Sequence, residues 1–261
     1  MVHPEIKMFK YLRVSVTDRC NYRCVYCMPE EGVSKQSHEQ IMRYEEILAV
    51  IKTAVENGVE QVRITGGEPL VRGGIVDFIA DVAKIPGLND LTLTTNGALL
   101  TRYASALKKA GLDRVNISLD SLNPETFKKI TRVGNLEEVI TGIDAAVAAG
   151  LKPVKLNTVL IPGINDDEII DFVDFVVART ISVRFIERMP FKAVELPSDD
   201  QFISEEQVLA AIAKKYQLIK VADGSFGPSS DYQIAGSSAG IGFISSRSHP
   251  FCQRCTRLRL T

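Results

Sequence analysis

Strand-like and helix-like segments alternate along most of this chain, and that alternation limits the folds open to it more than any other feature. Short runs rich in Val, Ile, Leu and Thr fall at Tyr11–Val16, Glu60–Thr65, Asp90–Thr95, Asp113–Leu119, Pro153–Leu160 and Ile181–Glu187. Between them lie helical patterns at Tyr44–Asn57, Ile75–Lys84, Thr101–Ala110, Leu136–Ala149 and Asp166–Ala178. Gly58, Gly111 and Gly150 sit where helices should stop, and Asn123-Pro124 reads as a cap followed by proline at the first helical position. A strand about every 30 residues with a helix between means repeated βαβ units and a parallel sheet. Six such units are too few for a closed eight-stranded barrel, and no dinucleotide-binding glycine pattern appears. The predicted fold is α/β, an open partial TIM barrel of about six βα units.

Past Pro190 the pattern changes. Phe191–Ser198 reads as a linker, Ser204-Glu205-Glu206-Gln207 as a capping box opening a helix to Tyr216, and three short strand-like runs follow at Leu218–Val221, Tyr232–Ala235 and Ile241–Ser245. The expected division is a barrel domain over residues 1–190 and a C-terminal α+β extension over 191–261, covering the barrel's open side. With 45% hydrophobic and 24% charged residues the chain can bury a sizeable core. A net charge of −1 gives no reason to expect nucleic acid or a membrane surface as partner. No signal-peptide core or bilayer-length apolar run is present. The five cysteines are odd in number and sit near the two ends of the chain, which fits metal binding in a reducing cytoplasm better than a disulfide framework.

Three of those cysteines, Cys20, Cys24 and Cys27, form C-x3-C-x2-C on the loop after the first strand. Strand C-terminal ends are where α/β proteins place their chemistry. A structural zinc site wants four closed ligands, and the nearest candidate for a fourth is His38, well past Cys27. Three thiolates suit an iron–sulfur cubane with one iron left open to a ligand. The spacing favours a cluster over zinc.

Thr65-Gly66-Gly67-Glu68-Pro69 follows the second strand, where two glycines let backbone approach a ligand closely; a tight βα turn is the plainer reading. Polar residues collect at the other strand ends: Thr94, Thr95 and Asn96, then Ser118 and Asp120, then Lys155 and Asn157. Lysine and asparagine are poor choices for a barrel interior unless they meet a ligand or partner. Arg247–Thr261 holds four arginines, no acid, and a second pair, Cys252-x2-Cys255. Arg257 and Arg259 alternate with Leu258 and Leu260, so both arginines fall on one face of a strand, where guanidinium forks suit a polyphosphate. A solvated basic tail is the alternative.

Cys20-x3-Cys24-x-Tyr26-Cys27, with its wider string SVTDRCNYRCVYCMP, resembles the radical S-adenosylmethionine (SAM) superfamily, and within it the GTP 3',8-cyclase family of molybdenum cofactor biosynthesis. The match runs from about Leu12 to the end of the chain. It implies that Cys20, Cys24 and Cys27 hold a SAM-binding [4Fe–4S] cluster, and that Tyr26, Gly67, Ser118 and Met189 contact SAM. It places GTP contacts on Arg13, Arg63, Thr94, Lys155, Arg257 and Arg259. It implies a second [4Fe–4S] cluster on Cys252 and Cys255. The family pattern continues past Thr261 to a third cysteine that this sequence does not contain, so either the chain is shortened or its second site is degenerate, and about one cluster per chain is expected. The implied reaction converts GTP to (8S)-3',8-cyclo-7,8-dihydroguanosine 5'-triphosphate. A 5'-deoxyadenosyl radical takes the ribose C3' hydrogen, and C3' then attacks guanine C8; no protein general base is needed for the first step. The implied partners are an electron donor and the next enzyme of the pathway, with a homodimer left open. Two other readings stand beside it: a radical SAM peptide or protein modifier, and a zinc-stabilised binding module without catalysis. A brown anaerobic protein absorbing near ~400 nm would separate a cluster from colourless zinc.

Overall fold

The computed structural model describes residues 9–33, 41–189, 201–221, 229–250 and 255–261. The linker at 191–198, His38 and Cys252 lie outside them. Six strands, β1 (Tyr11–Ser15), β2 (Gln61–Thr65), β3 (Asp90–Thr95), β4 (Arg114–Ser118), β5 (Lys155–Leu160) and β6 (Ser182–Glu187), run parallel in chain order. Helices α1 (Tyr44–Glu56), α2 (Ile75–Ala83), α3 (Leu100–Lys109), α4 (Pro124–Thr131), α5 (Leu136–Ala148) and α6 (Ile169–Arg179) connect them. The expected elements are found, most shorter at one or both ends.

The C-terminal segment contributes α7 (Glu205–Ile212), β7 (Leu218–Lys220), β8 (Ser230–Ile234), β9 (Gly240–Ile244) and β10 (Arg257–Leu260). It is built into the same sheet and prolongs both edges, giving the order β10-β1-β2-β3-β4-β5-β6-β9-β8-β7. β9 lies parallel beside β6 and β10 parallel beside β1. The barrel arc therefore holds eight consecutive parallel strands, two of them from the C-terminal segment, with β8 and β7 added antiparallel. Helix α7 stops at Ile212, short of the expected Tyr216. The chain turns there, and Lys215 Nζ (2.8 and 2.6 Å) and the Tyr216 hydroxyl both donate to Asp174 on α6.

Side chains alternate across a strand, so each strand shows two faces. On the helix-covered face stand Leu12 and Val14, Val62 and Ile64, Leu91 and Leu93, Val115 and Ile117, Leu156, Val183, Ile241 and Phe243, all nearly inaccessible. They pack with Ile47, Ile51, Ile79, Leu107, Ile143 and Phe172 of the helices in one core. On the opposite face stand Tyr11, Arg13, Arg63, Thr92, Thr94, Arg114, Asn116, Lys155, Asn157 and Arg184. An ordinary TIM barrel fills that face with branched apolar side chains; this one fills it with cations and amides.

The helices start where their caps direct. Asn123 Oδ1 accepts from the N–H groups of Glu125 and Thr126, Asn135 Oδ1 from Glu137, and Ser204 forms a reciprocal box with Gln207. Helix α5 packs closely on the start of α3 through Gly142. A Cβ at that position would lie 2.4 Å from the Gly97 carbonyl oxygen and 3.2 Å from Leu100 Cβ. Glycine to alanine in a helix interior ordinarily stabilises by roughly 1 kcal/mol. Here the sign reverses: Gly142→Ala is expected to destabilise by about 1–3 kcal/mol through overpacking, read as a lowered denaturation midpoint. An unchanged or raised midpoint would show that the α3–α5 contact gives way freely.

Candidate active site

The chain leaves β1 at Ser15 and enters the cysteine loop, which is held from three sides. Along the first side, the strand-like pairing continues past β1 and β2: Val16 N donates to Thr65 O (2.9 Å), Gly67 N to Thr17 O (2.7 Å) and Glu68 N to Arg19 O (2.8 Å). A Cβ at Gly66 would lie 2.4 Å from Thr17 O, and one at Gly67 would lie 2.3 Å from Arg19 O. The glycine pair is thus required by backbone lying on backbone, a reason for glycine that the motif alone did not reveal. Glu68 is fully buried and accepts from Leu70 N (3.0 Å), Thr95 Oγ1 (2.8 Å) and Asn96 N (2.7 Å). Burial pushes its carboxyl pKa up, and these donors oppose the shift. Asn96 in turn donates to Asn21 Oδ1 at 2.8 Å and directs its amide toward Cys20 Sγ at 3.9 Å.

The second side is the C-terminus of α4. Arg23 N donates to Thr131 O (3.1 Å) and Val25 N to Ile130 O (2.9 Å), satisfying carbonyls that a helix end leaves open. Arg132, at φ 63°, turns back and donates from Nη1 to the carbonyls of Arg23 (2.8 Å) and Met28 (3.2 Å). Tyr22 packs edge-on against Phe127. On the third side, the Tyr26 hydroxyl donates to Asp120 Oδ2 at 2.6 Å, while Val159 N donates to Asp120 Oδ1 at 2.8 Å. The loop is tied to β2, to α4, and to the ends of β4 and β5.

Within this frame Cys20 and Cys24 are half-buried and Cys27 is exposed. Burial raises all three thiol pKa values; Asp120 raises those of Cys24 and Cys27 further, and Glu68 that of Cys20. Cys24 also feels the charge of both other thiols. These shifts favour the protonated thiols in the free loop, so a metal centre bound there would displace their protons. Among the described residues no three His, Cys, Asp or Glu side chains converge as ligands of a single ion. Three thiols on one loop, two half-buried and one exposed, supply the donor set of an iron–sulfur cubane with one iron left open.

Below the loop lies the basic face. Arg13 stands in register with Arg63 on one side and Arg259 on the other, and Tyr11 stands beside Arg257. Arg13, Ser15, Thr65, Gly66 and Arg259 line a cavity of about 250 Å³. The Arg63 guanidinium lies 5.3 Å from the centre of the Tyr11 ring. Burial brings the Arg63 pKa down to about 10, helped by Arg184, Arg114 and Arg13. Lys155, in register with Asn116, is brought down to about 8 by burial first and Arg184 second, with Asp231 opposing. Arg114 is already matched by Asp90, bonding through Nε (2.8 Å) and Nη2. Arg184 Nε and Asn157 Oδ1 are buried without a hydrogen bond.

The structure thus brings Arg13, Arg63, Lys155, Arg257 and Arg259 onto one face. Thr94 is half-buried on β3, Ser118 ends β4, and Met189 follows β6 with 64% of its surface exposed. Cys255 is half-buried. Sequence reasoning did not single out Arg184, although its place in Ser182–Glu187, in phase with the polar positions of the strand, was a usable signal. Asp120 was noted only as a polar strand end, and nothing in the sequence linked it to Tyr26.

Residues 14–176 match the Radical SAM superfamily, and residues 181–261 match Molybdenum Cofactor Synthesis C. A GTP 3',8-cyclase from Petrotoga mobilis is 51% identical over 251 residues, covering 96% of this chain and 78% of that protein. The chain belongs to the GTP 3',8-cyclase family of radical SAM enzymes. A GTP 3',8-cyclase from Peptoclostridium acidaminophilum is 52% identical over 256 residues, 98% of this chain and 78% of that protein. Among solved structures, Streptococcus suis SuiB superposes with a TM-score of 0.64 at 16% identity, over 94% of this chain and 51% of that one. Methylornithine synthase superposes with a TM-score of 0.62 at 15% identity, over 79% and 62%. These two support the partial-barrel fold alone. Family membership makes the chain an enzyme, implies a [4Fe–4S] cluster with SAM, and sets aside the zinc-stabilised binding module.

Cys24→Ala is expected to remove the SAM-cleaving cluster and with it formation of 5'-deoxyadenosine after anaerobic reconstitution. Full 5'-deoxyadenosine production by this variant would show that the cluster does not rest on these three thiols.

Proposed function

We propose that this chain cleaves SAM reductively and uses the resulting radical to cyclise GTP to (8S)-3',8-cyclo-7,8-dihydroguanosine 5'-triphosphate in molybdenum cofactor biosynthesis. The observation that carries this reading is the union, on one sheet, of a cysteine loop at the strand ends and a cationic face beneath it. When bound on Cys20, Cys24 and Cys27, the cluster supplies the electron that splits SAM into methionine and the 5'-deoxyadenosyl radical. Everything else asked of the chain is position and charge.

Tyr26, Gly67, Ser118 and Met189 are assigned to SAM, and Arg13, Arg63, Thr94, Lys155, Arg257 and Arg259 to GTP. The cations suit a triphosphate because burial has already removed much of their water. A polyanion entering there relieves a desolvation cost that the free protein carries. We read residues 1–190 as the part that serves SAM and 191–261 as the part that completes the substrate face and carries Cys252 and Cys255 for a second cluster. An external electron donor, a following enzyme of the pathway, a cytoplasmic location and a homodimer belong to the same proposal. No helix among the described residues is long and apolar enough to cross a membrane.

Anaerobic reconstitution followed by product analysis with SAM and GTP tests the reading; 5'-deoxyadenosine without any GTP-derived product would overturn the substrate assignment. Two binding measurements test the cationic face. Arg257→Ala with Arg259→Ala should weaken GTP binding by about ten- to a hundredfold per lost contact while barely changing guanosine or SAM binding. Equal GTP affinity would return both arginines to a solvated basic face.

Lys155 supplies a pH signature. The free side chain is charged below its pKa of about 8 and neutral above it. Phosphate stabilises the charged form, so above pH 8 binding must take up a proton, and GTP affinity should fall by up to about tenfold per pH unit. Phosphate itself, with a second pKa of about 6, stays ionised across that window. Lys155→Met should bind GTP more weakly and lose this slope; a parent enzyme whose affinity is flat from pH 8 to 9.5 would remove Lys155 from the phosphate site.

A further inference from the structure

Asp120 is a buried carboxylate, 3% exposed, at the end of β4, and the assignments above give it no role. Its surroundings are specific. Oδ2 accepts from the Tyr26 hydroxyl at 2.6 Å, and Oδ1 accepts from Val159 N at 2.8 Å. The residue's backbone carbonyl accepts from Asn165 Nδ2 at 2.5 Å, and Asn165 Oδ1 accepts from Ile161 N at 2.7 Å, which fixes the loop behind it. The carboxylate is over-determined in position. Among the described residues no Lys, Arg or His side chain pairs with it; burial raises its pKa to about 6 against the Tyr26 and Val159 hydrogen bonds, so it carries its charge above that pH.

The partner it holds is the residue between the second and third cysteines. Tyr26 stands two positions after Cys24 and one before Cys27, and its bond to Asp120 is the loop's tie to the β4–β5 side of the sheet. That bond sets the carboxylate against the segment that joins Cys24 to Cys27. Arginines and lysines are plentiful on the basic face, yet this side of the loop has an acid. An uncompensated negative charge held beside an iron–sulfur cluster disfavours adding an electron to it, because the field of a buried charge is poorly screened. Net charge and hydrogen bonding around the ligands are the protein's means of setting cluster potential.

We propose that Asp120 sets the reduction potential of the cluster on Cys20, Cys24 and Cys27, holding it low by placing a negative charge against the Cys24–Cys27 segment through Tyr26. A low potential makes the reduced cluster a stronger reductant toward SAM. Asp120 touches neither substrate nor cofactor in this role; it is a positioning and electrostatic residue. The inference rests on the cluster assignment made above.

Asp120→Asn isolates the charge. Its amide oxygen can still accept from Val159 N, and its NH₂ group can donate to the Tyr26 oxygen, so shape and both bonded positions are kept. The measurement is the cluster's midpoint potential, by anaerobic titration followed by electron paramagnetic resonance, with iron and sulfide counted in parent and variant. The expected result is full cluster content with a potential raised by at least the ~59 mV that a tenfold change in a one-electron equilibrium represents. Starting from fully reduced cluster in both proteins, formation of 5'-deoxyadenosine should slow in parallel. A fully loaded variant with an unchanged or lowered potential would overturn the inference. So would loss of the cluster in Asp120→Asn, since that would assign Asp120 to assembly of the site. A parent protein that takes up no cluster would instead sink the cluster assignment itself.

Discussion

The parallel pairing of β1 with β2 on one side and β10 on the other is the contact on which the rest of the molecule depends. β1 leads directly into the cysteine loop, so whatever fixes β1 fixes the start of that loop. β10 comes from the far end of the chain and carries Arg257 and Arg259 into register with Tyr11 and Arg13. Parallel strands need long connections, and closing this pair spans nearly the whole sequence. The loop assigned to the cluster and SAM and the arginines assigned to GTP are therefore neighbours only when the whole sheet has formed.

The two faces of the sheet solve different problems. The helix-covered face buries branched aliphatic side chains and supplies the stability. The other face buries Arg13, Arg63, Lys155 and Arg184, and burial first, neighbouring cations second, lowers their pKa values, a costly arrangement without an anion. Among the described residues Asp90 pairs with Arg114, and Asp231 on β8 acts on Lys155 and Arg184. Proteins keep such unfavourable groupings where a ligand repays them. The glycines of β9 belong to the same design: a Cβ at Gly242 would sit 2.8 Å from both Arg184 Cγ and Asp231 Oδ1. The Arg184 stem can cross β9 only because that strand presents bare backbone there.

The cysteine loop depends on buried carboxylates as well as on apolar packing through Tyr22. Glu68 organises the β2 and β3 ends through three donors, and Asp120 organises the β4 and β5 ends through two. Each is stable only because its oxygens are met by hydrogen-bond donors. Both raise the pKa of nearby thiols, so the loop without metal favours protonated cysteine, and metal binding must release protons.

Much of this was legible in the order of residues. Alternating periodicity determined six parallel strands and their helices, because side-chain period is a local property of each element. Cys20, Cys24 and Cys27, Gly66-Gly67 and the Arg257/Arg259 alternation are local as well, and they marked the chemistry without a structure. Non-local partnership was decided by the tertiary fold alone. No pattern in the sequence says that β9 and β10 complete the parallel arc on opposite edges, that Gly67 lies on the Arg19 carbonyl, or that Asp120 meets Tyr26 from 94 residues away. Those facts depend on which strand ends come together, and strand order in a parallel sheet is set by how crossovers pack and not by any residue in the strands themselves.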